Sequence, residues 1–167
     1  MKIIVFSDSH GRDTNMCRAL EMNLNRFDLC LHLGDGCREF EALAQQYPGI
    51  PFVCVNGNGE ELSGEPRVTE TVLEPGHCRI MLTHGHRYGV KYSTTNLEYT
   101  AIERDCDIVL YGHTHLPDNR YIPREGSKGL YIFNPGSISR PHIGCKPSYG
   151  SIDITAGGIL TSHGYIM

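Results

Sequence analysis

The chain has 167 residues, 40% of them hydrophobic and a formal net charge of −4, which suits one domain over residues 1–167 with a real core. No Lys/Arg run offsets the acidic balance, so the basic stripe of a dedicated nucleic-acid binder is absent and a phosphate-bearing ligand must be attracted locally. Seven scattered cysteines, never in a C-x-x-C pair, read as reduced thiols rather than as a disulfide framework or a zinc site. With no leader-like h-region after Met1-Lys2 and no apolar stretch near the ~20 residues of a membrane span, a cytoplasmic protein is expected.

In chain order, Ile3-Ile4-Val5-Phe6 reads as a first strand. After a polar loop, Met16, Leu20, Leu24 and Phe27 form an i, i+4, i+8, i+11 stripe that predicts an amphipathic helix over 13–26. The unit repeats: Leu29-Cys30-Leu31 is a strand, Phe40, Leu43, Ala44 and Tyr47 lie on a second helix closed by Pro48-Gly49, and Pro51–Val55 is a third strand. The alternating run 68–72 and the run 79–82, separated by Pro75-Gly76-His77, read as an antiparallel pair. A helix over 93–105 with Ser93 as its cap leads into the strand Ile108–Tyr111. The last fifty residues, punctuated by Pro and Gly, hold short strands such as Leu130–Phe133 and Ile159-Leu160. The whole is βαβα first and mostly β later, without repeats or linkers.

Five strand ends deliver side chains that bind metals: Asp8-Ser9-His10, Gly34-Asp35, Asn56-Gly57-Asn58, Thr83-His84-Gly85-His86 and Gly112-His113-Thr114-His115. Taken singly each has a plain alternative, since Gly-Asp and Asn-Gly are ordinary turn and hairpin chemistry and a loop histidine is usually solvated. Strands that end on a common edge would bring them into one pocket, as in open α/β sheets. An oxygen and nitrogen donor set without cysteine suits Mn²⁺, Zn²⁺, Fe or Ni, and seven positions are too many for one tetrahedral ion.

In this order, and together with Leu116-Pro117 and Asn134-Pro135-Gly136-Ser137, these motifs resemble the calcineurin-like metallophosphoesterases, in particular the small YfcE-like phosphodiesterases. The resemblance covers nearly the whole chain. It implies an α+β (αββα) fold, a metallophosphoesterase-type β-sandwich of two mixed sheets flanked by helices, with a binuclear centre at one edge. Carried over by position, Asp8, His10 and His115 would hold one ion, Asn58, His84 and His113 the other, and Asp35 would bridge them. The cofactor implied is two divalent metal ions, Mn²⁺ first and Ni²⁺, Zn²⁺ or Fe as alternatives. The activity implied is hydrolysis of small or nucleotide-like phosphodiesters by a metal-bridging hydroxide. Two such ions bring roughly +4 against −2 from Asp8 and Asp35, a locally positive site on an acidic protein.

Two departures matter. Many relatives follow the Gly-Asn ligand with a histidine that serves the leaving oxygen, and the small phosphodiesterases tend to have Cys-Asp, whereas this chain has Gly59-Glu60. Activated leaving groups, as in aryl or cyclic phosphodiesters, are therefore expected unless His86, Glu60 or an arginine substitutes. The second Asp of the Gly-Asp-x-x-Asp pattern is replaced by Arg38. His86 joins Asp35 as a catalytic candidate, and Arg38, Glu60, Ser137 and Arg140 are candidate substrate contacts, Arg38 reading equally as a solvated side chain. The partner expected is a small phosphoester, with neither nucleic-acid polymer nor membrane and with a homo-oligomer as an option. The alternatives are a non-catalytic protein-binding scaffold of the same fold, like the small retromer subunit, or a phosphomonoesterase or protein phosphatase.

Overall fold

The computed structural model describes residues 1–23, 26–126 and 128–167, so Leu24 of the expected helical stripe lies outside the described residues. Alternation along the strands explains the architecture. In β1 (Lys2–Phe6), Ile3 and Val5 face one side while Ile4 and Phe6 face the other, and all four are fully buried. A strand apolar on both faces needs cover on both faces.

One side is covered by helices: Ile4, Phe6 and Cys30 pack on Met16, Ala19 and Leu20 of α1 (Thr14–Met22) and on Phe40 and Leu43 of α2 (Cys37–Ala44). The other is covered by a second sheet. Ile3, Val5 and Leu31 meet Ile80, Leu82, Ile108, Leu110 and Phe133 in a core between the sheets. The far face of that sheet, with Met81, Val109 and Ile132, packs on Leu97 and Ala101 of α4 (Thr95–Glu103). The expected layering of two mixed sheets between helices is thus present.

The first sheet adds β2 (Leu29–His32), β3 (Phe52–Cys54), β9 (Ser148–Thr155) and β10 (Gly158–Tyr165) in the order β10-β9-β1-β2-β3. The second holds β4 (Glu70–Leu73), β5 (Ile80–Thr83), β6 (Ile108–Leu110), β7 (Pro117–Ile122) and β8 (Leu130–Pro135) in the order β4-β5-β6-β8-β7. Each has a parallel centre, β1-β2-β3 in one and β5-β6-β8 in the other, flanked by antiparallel strands. The predicted antiparallel pair exists as β4 and β5, with Leu73 opposite Ile80. The helix expected over 93–105 is shorter and begins two residues later, with Ser93 Oγ accepting the N–H of Thr95. A short helix, α3 (Asn58–Leu62), stands where the two Asn-Gly pairs had suggested a turn.

Candidate metal centre

The C-terminal ends of β1, β2, β3, β5 and β6 open on one place, where the parallel halves of the two sheets meet. Backbone conformation marks it. Among the described residues six non-glycines have positive φ, and five are expected ligands: Asp8 (57°), His10 (48°), Asp35 (55°), His113 (68°) and His115 (60°). Left-handed conformations cost energy for L-residues, least for Asp, Asn and His, and cluster where a side chain must be aimed against the run of the chain. Here each bends a loop back at a strand end.

The carboxylate of Asp8, fully buried, lies at the middle. Its Oδ1 is 3.2 Å from His115 Nε2, 3.9 Å from His10 Nε2 and 3.9 Å from His84 Nε2. Asp35 Oδ2 is 3.6 Å from His84 Nε2, and the Nε2 atoms of His10 and His115 are 3.2 Å apart. Two sets of donor atoms therefore lie close enough to share an ion, Asp8 with His10 and His115, and Asp8 with Asp35 and His84. Asp8 belongs to both sets and Asp35 to the second. The ring of His113 is 5.0 Å from that of His84, and Asn58 Oδ1 is buried without a hydrogen-bond partner.

The surrounding bonds aim these donors. His84 Nδ1–H donates to the Leu33 carbonyl at 2.7 Å and His115 Nδ1–H to the Arg140 carbonyl at 2.5 Å, which leaves both Nε2 atoms toward the cluster. Asp8 Oδ2 accepts from Ser7 Oγ at 2.6 Å and from the N–H of His113 at 3.1 Å, joining β1 to the β6 loop. Asp35 Oδ1 accepts the N–H of Gly59 at 2.8 Å. Asp8 Oδ1 and His84 Nε2, both buried, have no hydrogen-bond partner. Buried polar atoms are nearly always satisfied, so two that converge unpaired, with carboxylate and imidazole chemistry, fit a divalent cation.

Burial opposes charge on Asp8, yet the adjacent imidazoles of His115 and His84 and the Ser7 hydroxyl hold its carboxyl below the usual range. For Asp35, burial is likewise outweighed by His84 and by the Gly59 amide, and the carboxyl is held far below normal. His115 is raised by the Asp8 carboxylate beside it, and His84, despite burial, by Asp35 and Asp8. His113 is pushed down to about 4 by burial and by the neighbouring His84. The pocket holds its anions ready, and imidazolium protons would leave when a cation enters.

The candidate substrate contacts divide. Glu60 is a correction: Oε1 accepts the N–H groups of Gly36 (2.6 Å) and Cys37 (3.1 Å), and Oε2 those of Asp35 and Gly57 (both 2.8 Å). Its carboxylate braces the Asp35 loop against the Gly57 loop and is not free for a substrate. Ser137 is another: fully buried, it donates to the Asp8 carbonyl at 2.8 Å and accepts the N–H of Arg140 at 2.7 Å. Arg38 is exposed and paired with Glu65, its Nε 2.8 Å from Oε1. Arg140 is exposed, contributes its carbonyl to His115, and its charge acts on His10. His86 places its ring 5.4 Å from that of His84 and 6.0 Å from that of His113, with Nε2 3.2 Å from Glu61 Oε1 but without hydrogen-bond alignment.

Three residues to which sequence reasoning gave no bonding role hold the loops. Asn134 donates to the Gly112 carbonyl (3.1 Å) and to Thr114 Oγ1 (3.0 Å), and Ser139 Oγ lies 2.6 Å from the Ser9 carbonyl. His32 joins Gly34 N–H to Ser9 Oγ in a buried relay that ends on Glu39. Polar residues beside a glycine-rich strand end were the available signal.

A chain with two mixed sheets between helices and this cluster at their common edge has the form of a metallophosphoesterase. The sequence matches the calcineurin-like phosphoesterase superfamily domain over residues 1–157, and the chain belongs to that superfamily. It is 29% identical over 155 residues to the probable metallophosphoesterase YsnB of Bacillus subtilis, covering 92% of this chain and 85% of that protein. A predicted phosphoesterase from Streptococcus pneumoniae superposes with TM-score 0.74 at 26% identity, over 97% of both chains. Wild-type Vps29 of Entamoeba histolytica, solved with Zn²⁺, shares the fold, with TM-score 0.67 and 19% identity over 99% of both chains.

Proposed function

We propose that the protein is a metal-dependent phosphodiesterase acting on small or nucleotide-like phosphodiesters. Two divalent ions, Mn²⁺ first, would be held by Asp8, His10, Asp35, Asn58, His84, His113 and His115. The observation that carries this reading is the convergence of the unpaired, buried Asp8 Oδ1 and His84 Nε2 with Asp35, His10 and His115. Bound ions would activate water near neutral pH and draw charge from the phosphoryl oxygens.

The chain's own part is placement. Asp8 and Asp35 stay anionic, and the Leu33 and Arg140 carbonyls fix the tautomers of His84 and His115. His86, beside His84 and His113 and backed by Glu61, is set to donate a hydrogen bond to a phosphoryl oxygen. Gly59 offers the leaving oxygen no acid and Glu60 is spent on four amides, which favours esters whose alcohol leaves unaided. Free thiols at all seven cysteines suit a reducing, cytoplasmic setting.

Protein loaded with Mn²⁺ is expected to hydrolyse bis(p-nitrophenyl) phosphate, and Asp35→Ala or His113→Ala to abolish the activity while circular dichroism stays native. Metal analysis well below two ions per chain, with no turnover in Mn²⁺ or Ni²⁺, would replace this reading with that of a non-catalytic protein-binding scaffold of the same fold.

A further inference from the structure

The cluster stands between two clefts of opposite character. The larger, about 790 Å³, has His113 and His115 at its floor and a wall of Val90, Tyr111, Leu116, Pro141 and Ile143, with Lys91 at the opening. Its size lies within the roughly 300–1,000 Å³ of small-molecule sites. Leu116 is 41% exposed and Ile143 95%, apolar side chains held in water on the rim of a polar centre. The one carboxylate there, Asp118, is taken up by Tyr111 Oη at 2.7 Å and by Arg120 Nε at 2.9 Å. Lys91 adds positive charge felt at both His113 and His115.

The smaller cleft, about 280 Å³, reaches the cluster from the side of His10 and Asp35. Glu39, Glu60 and Glu65 line it, and its arginine, Arg38, is already bound to Glu65. A bulky or anionic group would meet carboxylates there, while the larger cleft offers apolar area and a cation.

Resting on the phosphodiesterase reading, we infer that the preferred substrates are asymmetric phosphodiesters. The larger cleft takes an aromatic or nucleobase-bearing ester arm against Leu116 and Ile143, and the smaller takes a compact uncharged arm. Leu116 and Ile143 are then specificity-determining residues. Because both are exposed, replacing them leaves the core intact.

The test uses Mn²⁺-loaded full chain and two phosphonates, methylphosphonate and phenylphosphonate, titrated calorimetrically into wild type and into the uncharged Leu116→Ser/Ile143→Ser variant. Burying a phenyl ring should make phenylphosphonate bind wild type about tenfold more tightly than methylphosphonate. The variant should lose that advantage while binding methylphosphonate as wild type does. Equal affinities in wild type, or a preference for phenyl that survives in the variant, overturns the inference and leaves the phosphodiesterase reading standing. If neither phosphonate binds and bis(p-nitrophenyl) phosphate is not hydrolysed, both fail together.

Discussion

At the scale of single residues, Glu60 does most to set the geometry without being part of it. Its carboxylate, held below the usual range by four backbone amides that outweigh the cost of burial, keeps Asp35 and the Gly57 loop at fixed separation. Glu60→Gln turns an NH₂ toward two of those amides, and leaving two buried donors unpaired should cost about 2–4 kcal/mol. The denaturant midpoint measures the loss, and metal affinity should weaken about tenfold because Asp35 loses its brace. An unchanged midpoint would mean that water replaces the carboxylate and that Glu60 is not a clamp. Gly57 makes a sharper case: a Cβ there would stand 2.2 Å from Asp35 Oδ1 and 2.5 Å from Asp35 N. Gly57→Ala must displace Asp35, and a displacement near 1 Å should lower kcat about 100-fold. Gly57 itself has an ordinary φ of −89°, so the substitution adds no backbone strain and reads the clash alone.

At the scale of elements, the strands and the candidate cluster were legible because burial on both faces writes continuous apolar runs, and because each run ends in a metal-binding residue type. α3 was not legible: Asn56-Gly57-Asn58-Gly59 reads as a hairpin turn, and what makes Asn58–Leu62 a helix is Glu60 reaching back to the Gly57 N–H, a contact that also depends on the Asp35 loop. The central place of Asp8 in the cluster was no more legible, since it comes from how two sheets meet. His32 shows a structural histidine with a measurable consequence. It ends β2, fully buried against Phe40 and bonded to Ser9 and Gly34, and burial lowers it to about 4 despite the nearby carboxylates. The unfolded chain binds a proton at His32 near pH 6.5 and the folded chain only near pH 4, so stability falls as pH drops through that window and is flat below it. A shift of this size corresponds to about 3 kcal/mol. His32→Asn should be less stable than wild type at pH 7.5 and lose less on going to pH 4.5, as read from urea midpoints in EDTA. Parallel pH profiles for the two proteins would remove His32 as the source.

At the scale of the whole molecule, the centre is a joint between two halves. Asp8, His10, Asp35 and Asn58 follow strands of the first sheet, while His84, His113 and His115 follow strands of the second. Between the sheets, Ile3, Val5 and Leu31 pack against Leu82, Leu110 and Phe133, an apolar contact that fixes no particular orientation at the edge. At the edge itself Asp8 Oδ2 accepts the His113 N–H, while the unpaired Asp8 Oδ1 and His84 Nε2 face each other across the joint at 3.9 Å. A cation there would bind only when both halves are folded and in register, so its binding energy is added to the stability of the entire fold. Mn²⁺ at 1,000 times its Kd should stabilise the protein by about 4 kcal/mol. For a chain of this length that raises Tm by about 8–16 °C over the EDTA-treated protein. The gain should grow with the logarithm of metal concentration, and Asp8→Asn, which removes the donor common to both sets, should lose most of it. Mg²⁺, which favours oxygen donors and gives up water reluctantly, should stabilise less. A Tm that ignores Mn²⁺ in wild type, or a shift that is undiminished in Asp8→Asn, would mean that the two sheets are not joined through this cluster.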